Sequence, residues 1–134
     1  MSKEEKEESH AVILNVPGKT VFKNHIIETK IINAAEIKNI KDKSKSVEWF
    51  DCEQIKMPLT IRQRQKGDKF KPFKESKFKK VGKFLTSQKI DSQQRQEVFI
   101  ICDKEKILWV APIRRSNEAI LTSTSHNILQ INML

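Results

Sequence analysis

The sequence predicts a β-rich α+β domain with one or two short helices. Three observations carry this. VFIIC at residues 98–102 and ILWVA at 107–111, separated by a polar turn, have the pattern of a buried hairpin. PLTIRQR at 58–64 alternates apolar and polar side chains with the period of a strand. Residues 78–90 place large apolar side chains at steps of three and four, the period of a helix.

Taken in order, residues 1–10 (MSKEEKEESH) are polar and densely charged, and read as a flexible tail. Residues 11–134 read as a single domain, which 134 residues accommodate comfortably. Residues 11–16 form a short apolar run, Pro17-Gly18 is a turn signal, and the extended pattern resumes at 20–22. The isoleucine-rich stretch 25–33 reads as a strand. Residues 34–46 read as a lysine-rich loop containing at most a helical turn, and 47–50 as another strand. In the strand over 58–64, Leu59, Ile61 and Gln63 point one way and Thr60, Arg62 and Arg64 the other, so both arginines share one face. Lys66-Gly67-Asp68 is a turn in which glycine supplies a positive φ.

The helix expected over 78–90 has a stripe of Phe78, Val81, Phe84, Leu85 and Gln88. Lys79, Lys80 and Lys83 lie off that stripe near the helix start, where cations are unfavourable unless an anion is bound. Gly82 weakens the helix by up to about 1 kcal/mol relative to alanine. Asp91 reads as the N-cap of a second short helix over 91–97. Residues 118–122 and 127–131 are the last strand candidates.

The charge is concentrated. Residues 62–83 hold ten basic side chains and two acidic ones, so most of the net +9 falls in one segment. Such a segment attracts polyanions. Phe70, Phe73, Phe78 and Phe84 interrupt it. They suit core anchors beneath the charge, or platforms on which bases stack. Two guanidiniums on one strand face match a phosphate backbone, or else one of them pairs with Asp68 and braces the turn.

Other chemistry has no pattern here. No apolar run approaches the ~20 residues of a bilayer-spanning helix, and the polar start is not a signal peptide. Cys52 and Cys102 make no disulfide framework, so a reducing cytoplasm is the expected location. Cys102, in an apolar run, reads as a small core residue. His10, His25 and His126 have no metal-ligand spacing. Three glycines cannot form a glycine-rich phosphate cradle, and no nucleophile–base pair can be nominated.

The stretch LTIRQRQKGDKFKPF resembles the start of the C-terminal domain of bacterial tRNA(Ile)-lysidine synthetase. Leu59, Thr60, Arg62, Arg64, Gly67, Asp68, Phe70 and Pro72 fit that family's pattern. Lys79-Lys80-Val81, Phe84-Leu85, Lys89-Ile90, Arg95, Ile100-Ile101, Asp103, Ile107-Leu108-Trp109-Val110 and Arg114 keep register downstream, and Val16-Pro17-Gly18 resembles the opening segment. Lys83 departs from the pattern, standing where an aspartate is common, as do Asp91 and Phe99 in place of prolines.

The resemblance implies a layered fold with a β-sandwich, similar to a module of the phenylalanyl-tRNA synthetase β-subunit. It also implies tRNA binding at the acceptor stem, with isoleucine tRNA as the partner. The RNA-facing candidates are Arg62, Arg64, Lys66, Lys79, Lys80, Lys83 and Arg114. The family's adenylation loop, S-G-G-x-D-S, is not in this chain, so ATP, magnesium and lysine would belong to an N-terminal domain and no cofactor is expected here. A module that binds a separate adenylation subunit, and an excised piece of a full-length ligase, are the other readings.

Overall fold

A computed structural model describes residues 11–37 and 44–134. The tail read over residues 1–10 and the middle of the lysine-rich loop lie outside the described residues. Eleven strands and two short α-helices form three layers among the described residues.

The first sheet contains β1 (Val12–Ile13), β5 (Thr60–Gln63), β8 (Phe99–Cys102), β9 (Ile107–Ala111) and β10 (Arg114–Arg115), in the order β1-β5-β8-β9-β10. The second contains β2 (Gly18–Phe22), β3 (His25–Asn33), β11 (Asn127–Met133) and β4 (Val47–Asp51), in the order β2-β3-β11-β4. Every pairing within them is antiparallel. The two sheets pack face to face as a β-sandwich. Ile61, Phe99, Ile101, Trp109 and Ala111 of the first meet Phe22, Ile27, Phe50, Leu129 and Ile131 of the second. All ten are buried, and this is the main core.

The third layer lies on the outer face of the first sheet. It consists of the hairpin β6 (Lys69–Phe70) and β7 (Lys79–Lys80), helix α1 (Val81–Ser87) and helix α2 (Ser92–Arg95). Phe70, Val81, Phe84 and Leu85 pack there on Val98, Ile100 and Val110. Phe70 and Phe84 meet edge to face at 5.1 Å, an arrangement that adds about 1 kcal/mol to their burial. The apolar run at 98–102 is therefore continuous for a reason. Phe99 and Ile101 face the sandwich while Val98 and Ile100 face α1, so both faces are covered.

Several expectations are corrected. The helix expected over 78–90 is only Val81–Ser87. Lys79 and Lys80 extend as β7, because Lys80 pairs with Lys69 and the Val81 N–H donates to the Asp68 carbonyl at 2.8 Å. Phe78 leaves the apolar stripe and is exposed, and so does Gln88. The second helix is Ser92–Arg95, with Asp91 as N-cap as the sequence suggests. Cys102 is half-buried, its Sγ 3.2 Å from the Thr60 hydroxyl, and is not a core residue.

Residues 118–122 are not a strand. Ala119 takes φ +52°, which breaks an extended chain, and the segment is organised around a buried arginine. Arg115 donates from Nε to the Ser116 carbonyl and from Nη2 to the Glu118 carbonyl. Its Nη1 donates to the Trp49 carbonyl, tying β10 to β4 across the side of the sandwich. The guanidinium lies 4.2 Å from the Phe50 ring centre. Burial pushes its pKa down to about 10, against an opposing pull from Glu48, so it stays charged at neutral pH.

Candidate nucleic-acid interface

The alternation in 58–64 sends Ile61 into the sandwich and Arg62 to the opposite face, opposite Ile100. That face is not open. It is roofed by α1 and by the turn that ends in Asp68. Arg62 makes a bidentate ion pair with Asp68, with both N–O distances 3.0 Å and side-chain exposures of 15% and 10%. Burial disfavours the Arg62 charge, but the hydrogen bond and charge of Asp68 outweigh it and hold its pKa above the ordinary arginine value.

The other Asp68 contacts explain the motif. Its carboxylate also accepts from the Gln65 N–H at 2.7 Å, its N–H donates to the Gln65 carbonyl, and its carbonyl receives Val81. Gly67 takes φ +93°, a region strained for any side chain. Arg62, Gly67 and Asp68 thus form a brace that fixes the 64–68 turn against the start of α1. Of the two arginines, Arg62 is the one that pairs with Asp68.

Arg64 lies just beyond β5 and is exposed. Its side chain reaches over the helix start, where a β-carbon on Gly82 would stand 3.6 Å from Nη1. With Lys66, Lys80, Lys83 and Arg95 it lines an open depression of about 720 Å³. Among the described residues, no carboxylate ion-pairs with any of these five cations. Among the described residues the one acid in the wall is Asp68, and it is committed to Arg62. An open concavity lined by cations without carboxylate partners attracts phosphates.

The remaining candidates separate. Lys79 faces the neighbouring depression, with Lys69, Lys80 and Lys83, but it also pairs with Glu75 at 3.0 Å. Arg114 is not in the cleft. Its guanidinium lies 5.2 Å from the Phe84 ring centre, and it lines an apolar recess with Trp49, Phe73, Ile113, Ile120 and Leu121. The phenylalanines are divided too. Phe70 and Phe84 are core anchors, while Phe78 is 59% exposed beneath Lys71, whose Nζ is 5.1 Å from the ring centre.

Sequence reasoning did not select Arg95 as a site residue. It lies on α2, and its Nε and Nη2 donate to the Ile90 carbonyl and the Thr86 hydroxyl. Its partners are neutral, so its charge remains available to the cleft. No spacing rule links residue 95 to residue 64; their meeting is purely tertiary.

Among the described residues there is no cluster of three or more His, Cys, Asp or Glu able to hold a metal ion, and no helix long and apolar enough to cross a membrane.

The model of the TilS substrate C-terminal domain family matches residues 59–131. The tRNA(Ile)-lysidine synthase of Clostridium acetobutylicum is 30% identical over 110 residues, covering 79% of this chain and 24% of that protein. The chain therefore spans about a quarter of the length of the curated relatives it matches. A crystal structure of a TilS C-terminal domain shares the fold, with a TM-score of 0.74, 23% identity and coverage of 94% of this chain and 98% of the other. An N-terminal fragment of the phenylalanyl-tRNA synthetase β-subunit from Pyrococcus horikoshii shares it over 65% of this chain and 27% of the other, with a TM-score of 0.57 and 19% identity. The family model covers the brace, the cleft and both helices, and the chain belongs to the TilS substrate C-terminal domain family, the C-terminal domain of tRNA(Ile)-lysidine synthases.

Proposed function

We propose that this domain grips a tRNA through its phosphate backbone, with the acceptor stem of isoleucine tRNA as the stem that occupies the cleft. One observation carries the reading: Arg64, Lys66, Lys80, Lys83 and Arg95 converge on a single open depression and have no carboxylate partners among the described residues. Arg62 acts as a positioning residue that holds Arg64 and Lys66 in place through Asp68. A double-stranded stem offers shape, phosphates and 2′-hydroxyls in place of readable base edges, so this domain contributes affinity more than sequence discrimination.

In this reading the chain is the grip of a larger cytoplasmic enzyme. ATP, magnesium and lysine are handled by an adenylation domain elsewhere, and no cofactor is held here. The apolar recess at Trp49, Phe73 and Leu121 favours a second role, contact with that adenylation domain.

The test is electrophoretic mobility of isoleucine tRNA and of an unrelated tRNA across a salt series. Neutralising about five phosphates gives a slope of log K against log salt of roughly −4. A triple Arg64→Ala, Lys80→Ala, Lys83→Ala variant should flatten the slope by about two to three. No shift at low salt with either tRNA would refute the reading.

A further inference from the structure

The cleft does not end at Arg64 and Arg95. The same two side chains form the wall of a second depression, of about 570 Å³, whose other lining residues are Lys23, Gln63, Ser92, Gln96 and Val98. No acid lines it. On the other side, Lys80 and Lys83 are shared with the depression that holds Lys69 and Lys79. Three depressions thus adjoin through shared cations. Among the described residues, their only lining carboxylate is that of Asp68, already bound to Arg62.

Lys23 is the far end of this chain of cations, and it comes from a different sheet. It opens the two-residue turn joining β2 to β3, where Phe22 pairs with His25. There it takes φ +56°, a conformation that costs a residue with a β-carbon on the order of 1 kcal/mol relative to glycine. Lys23 is exposed and has no ion-pair partner among the described residues. Glu97, although it falls between Gln96 and Val98 in sequence, is not among the residues lining this depression, and its carboxylate lies 3.4 Å from His25 Nε2. A lysine therefore stands where the turn favours glycine, at the open end of a cationic surface.

We propose that the RNA track continues past Arg64 and Arg95 onto the β2–β3 turn, and that Lys23 is its terminal phosphate contact. This rests on the phosphate-gripping role of the cleft and extends it to the second sheet of the sandwich. The bound stem then touches both sheets, with Arg64 and Arg95 at the centre of the contact and not at its edge.

The experiment uses Lys23→Gly, which removes the charge and eases the turn at once. The probe is a fluorescein-labelled 12-base-pair RNA hairpin, titrated at several salt concentrations beside thermal melts of both proteins. With Lys23 added to the five cleft cations, wild type should bind with a slope near −5. Lys23→Gly should reduce that slope by about 0.7–0.9 and weaken binding roughly five- to eightfold at about 0.1 M salt, with a melting temperature equal to or above wild type. Lys23→Arg should restore the slope. Wild-type binding with an unchanged slope in Lys23→Gly overturns this inference and leaves the cleft reading intact. Absence of wild-type binding overturns both.

Discussion

Arg62 and Arg64 are two residues apart with the same chemistry, yet the structure gives them opposite roles, and substitution should separate these. Arg62→Ala leaves the Asp68 carboxylate, only 10% exposed, without its ion-pair partner. Breaking a buried pair from one side costs about 3–5 kcal/mol. The residual exposure and the surviving Gln65 N–H bond reduce this, so about 2–3 kcal/mol is expected. For a chain of this size that lowers the melting temperature by roughly 10 °C. Arg64→Ala removes an exposed side chain with no ion-pair partner among the described residues, and should leave the melting temperature unchanged. RNA binding should reverse the order. Arg64→Ala should lose about one phosphate contact, seen as a smaller salt slope. Arg62→Ala, measured well below its melting point, removes none of the cleft cations and should keep the wild-type slope, while affinity falls modestly because the turn carrying Arg64 and Lys66 loses its brace. Thermal melts followed by fluorescence anisotropy with labelled tRNA measure both quantities. Equal destabilisation by the two variants, or an Arg62→Ala protein as stable as wild type, would refute the brace. The double variant is a poor probe of binding, because it mixes an unfolding effect with a contact effect.

Two further outcomes follow from the geometry. Lys79→Ala should change RNA affinity less than Lys83→Ala, since Lys79 is already partly neutralised by Glu75 at 3.0 Å while Lys83 has no ion-pair partner among the described residues; anisotropy titrations at one salt concentration compare them. Asp103 is another carboxylate held by a dense set of donors, and it is buried. Burial alone would raise its pKa, but Lys106 Nζ and the N–H groups of Lys56, Glu105 and Lys106 outweigh that and hold it below the ordinary aspartate value. A depressed folded pKa means stability that is present above the unfolded value and lost as pH falls through the folded one. Asp103→Asn should therefore melt lower at neutral pH, and should lose less stability than wild type between about pH 5 and about pH 2, read by thermal melts across pH.

The sequence by itself determined the strands whose pattern is local. VFIIC and ILWVA needed only their own side chains to be recognised as the two strands of a buried hairpin, and the alternation in LTIRQR was enough to put Arg62 on the face away from Ile61. Gly67 and Asp68 declared the turn, and the resemblance carried by that segment named the family. What local pattern could not give was which charges remain free. Whether Arg62 or Arg64 meets Asp68 depends on how the turn closes over the sheet, and the helical period at 78–90 could not show that Lys79 and Lys80 would pair as a strand with β6. Arg95 and Lys23 reach the surface of Arg64 from α2 and from the second sheet, so no sequence spacing relates them. A side chain's direction follows from its own backbone, whereas its neutralisation depends on residues brought near by folding, and only the tertiary structure decides that.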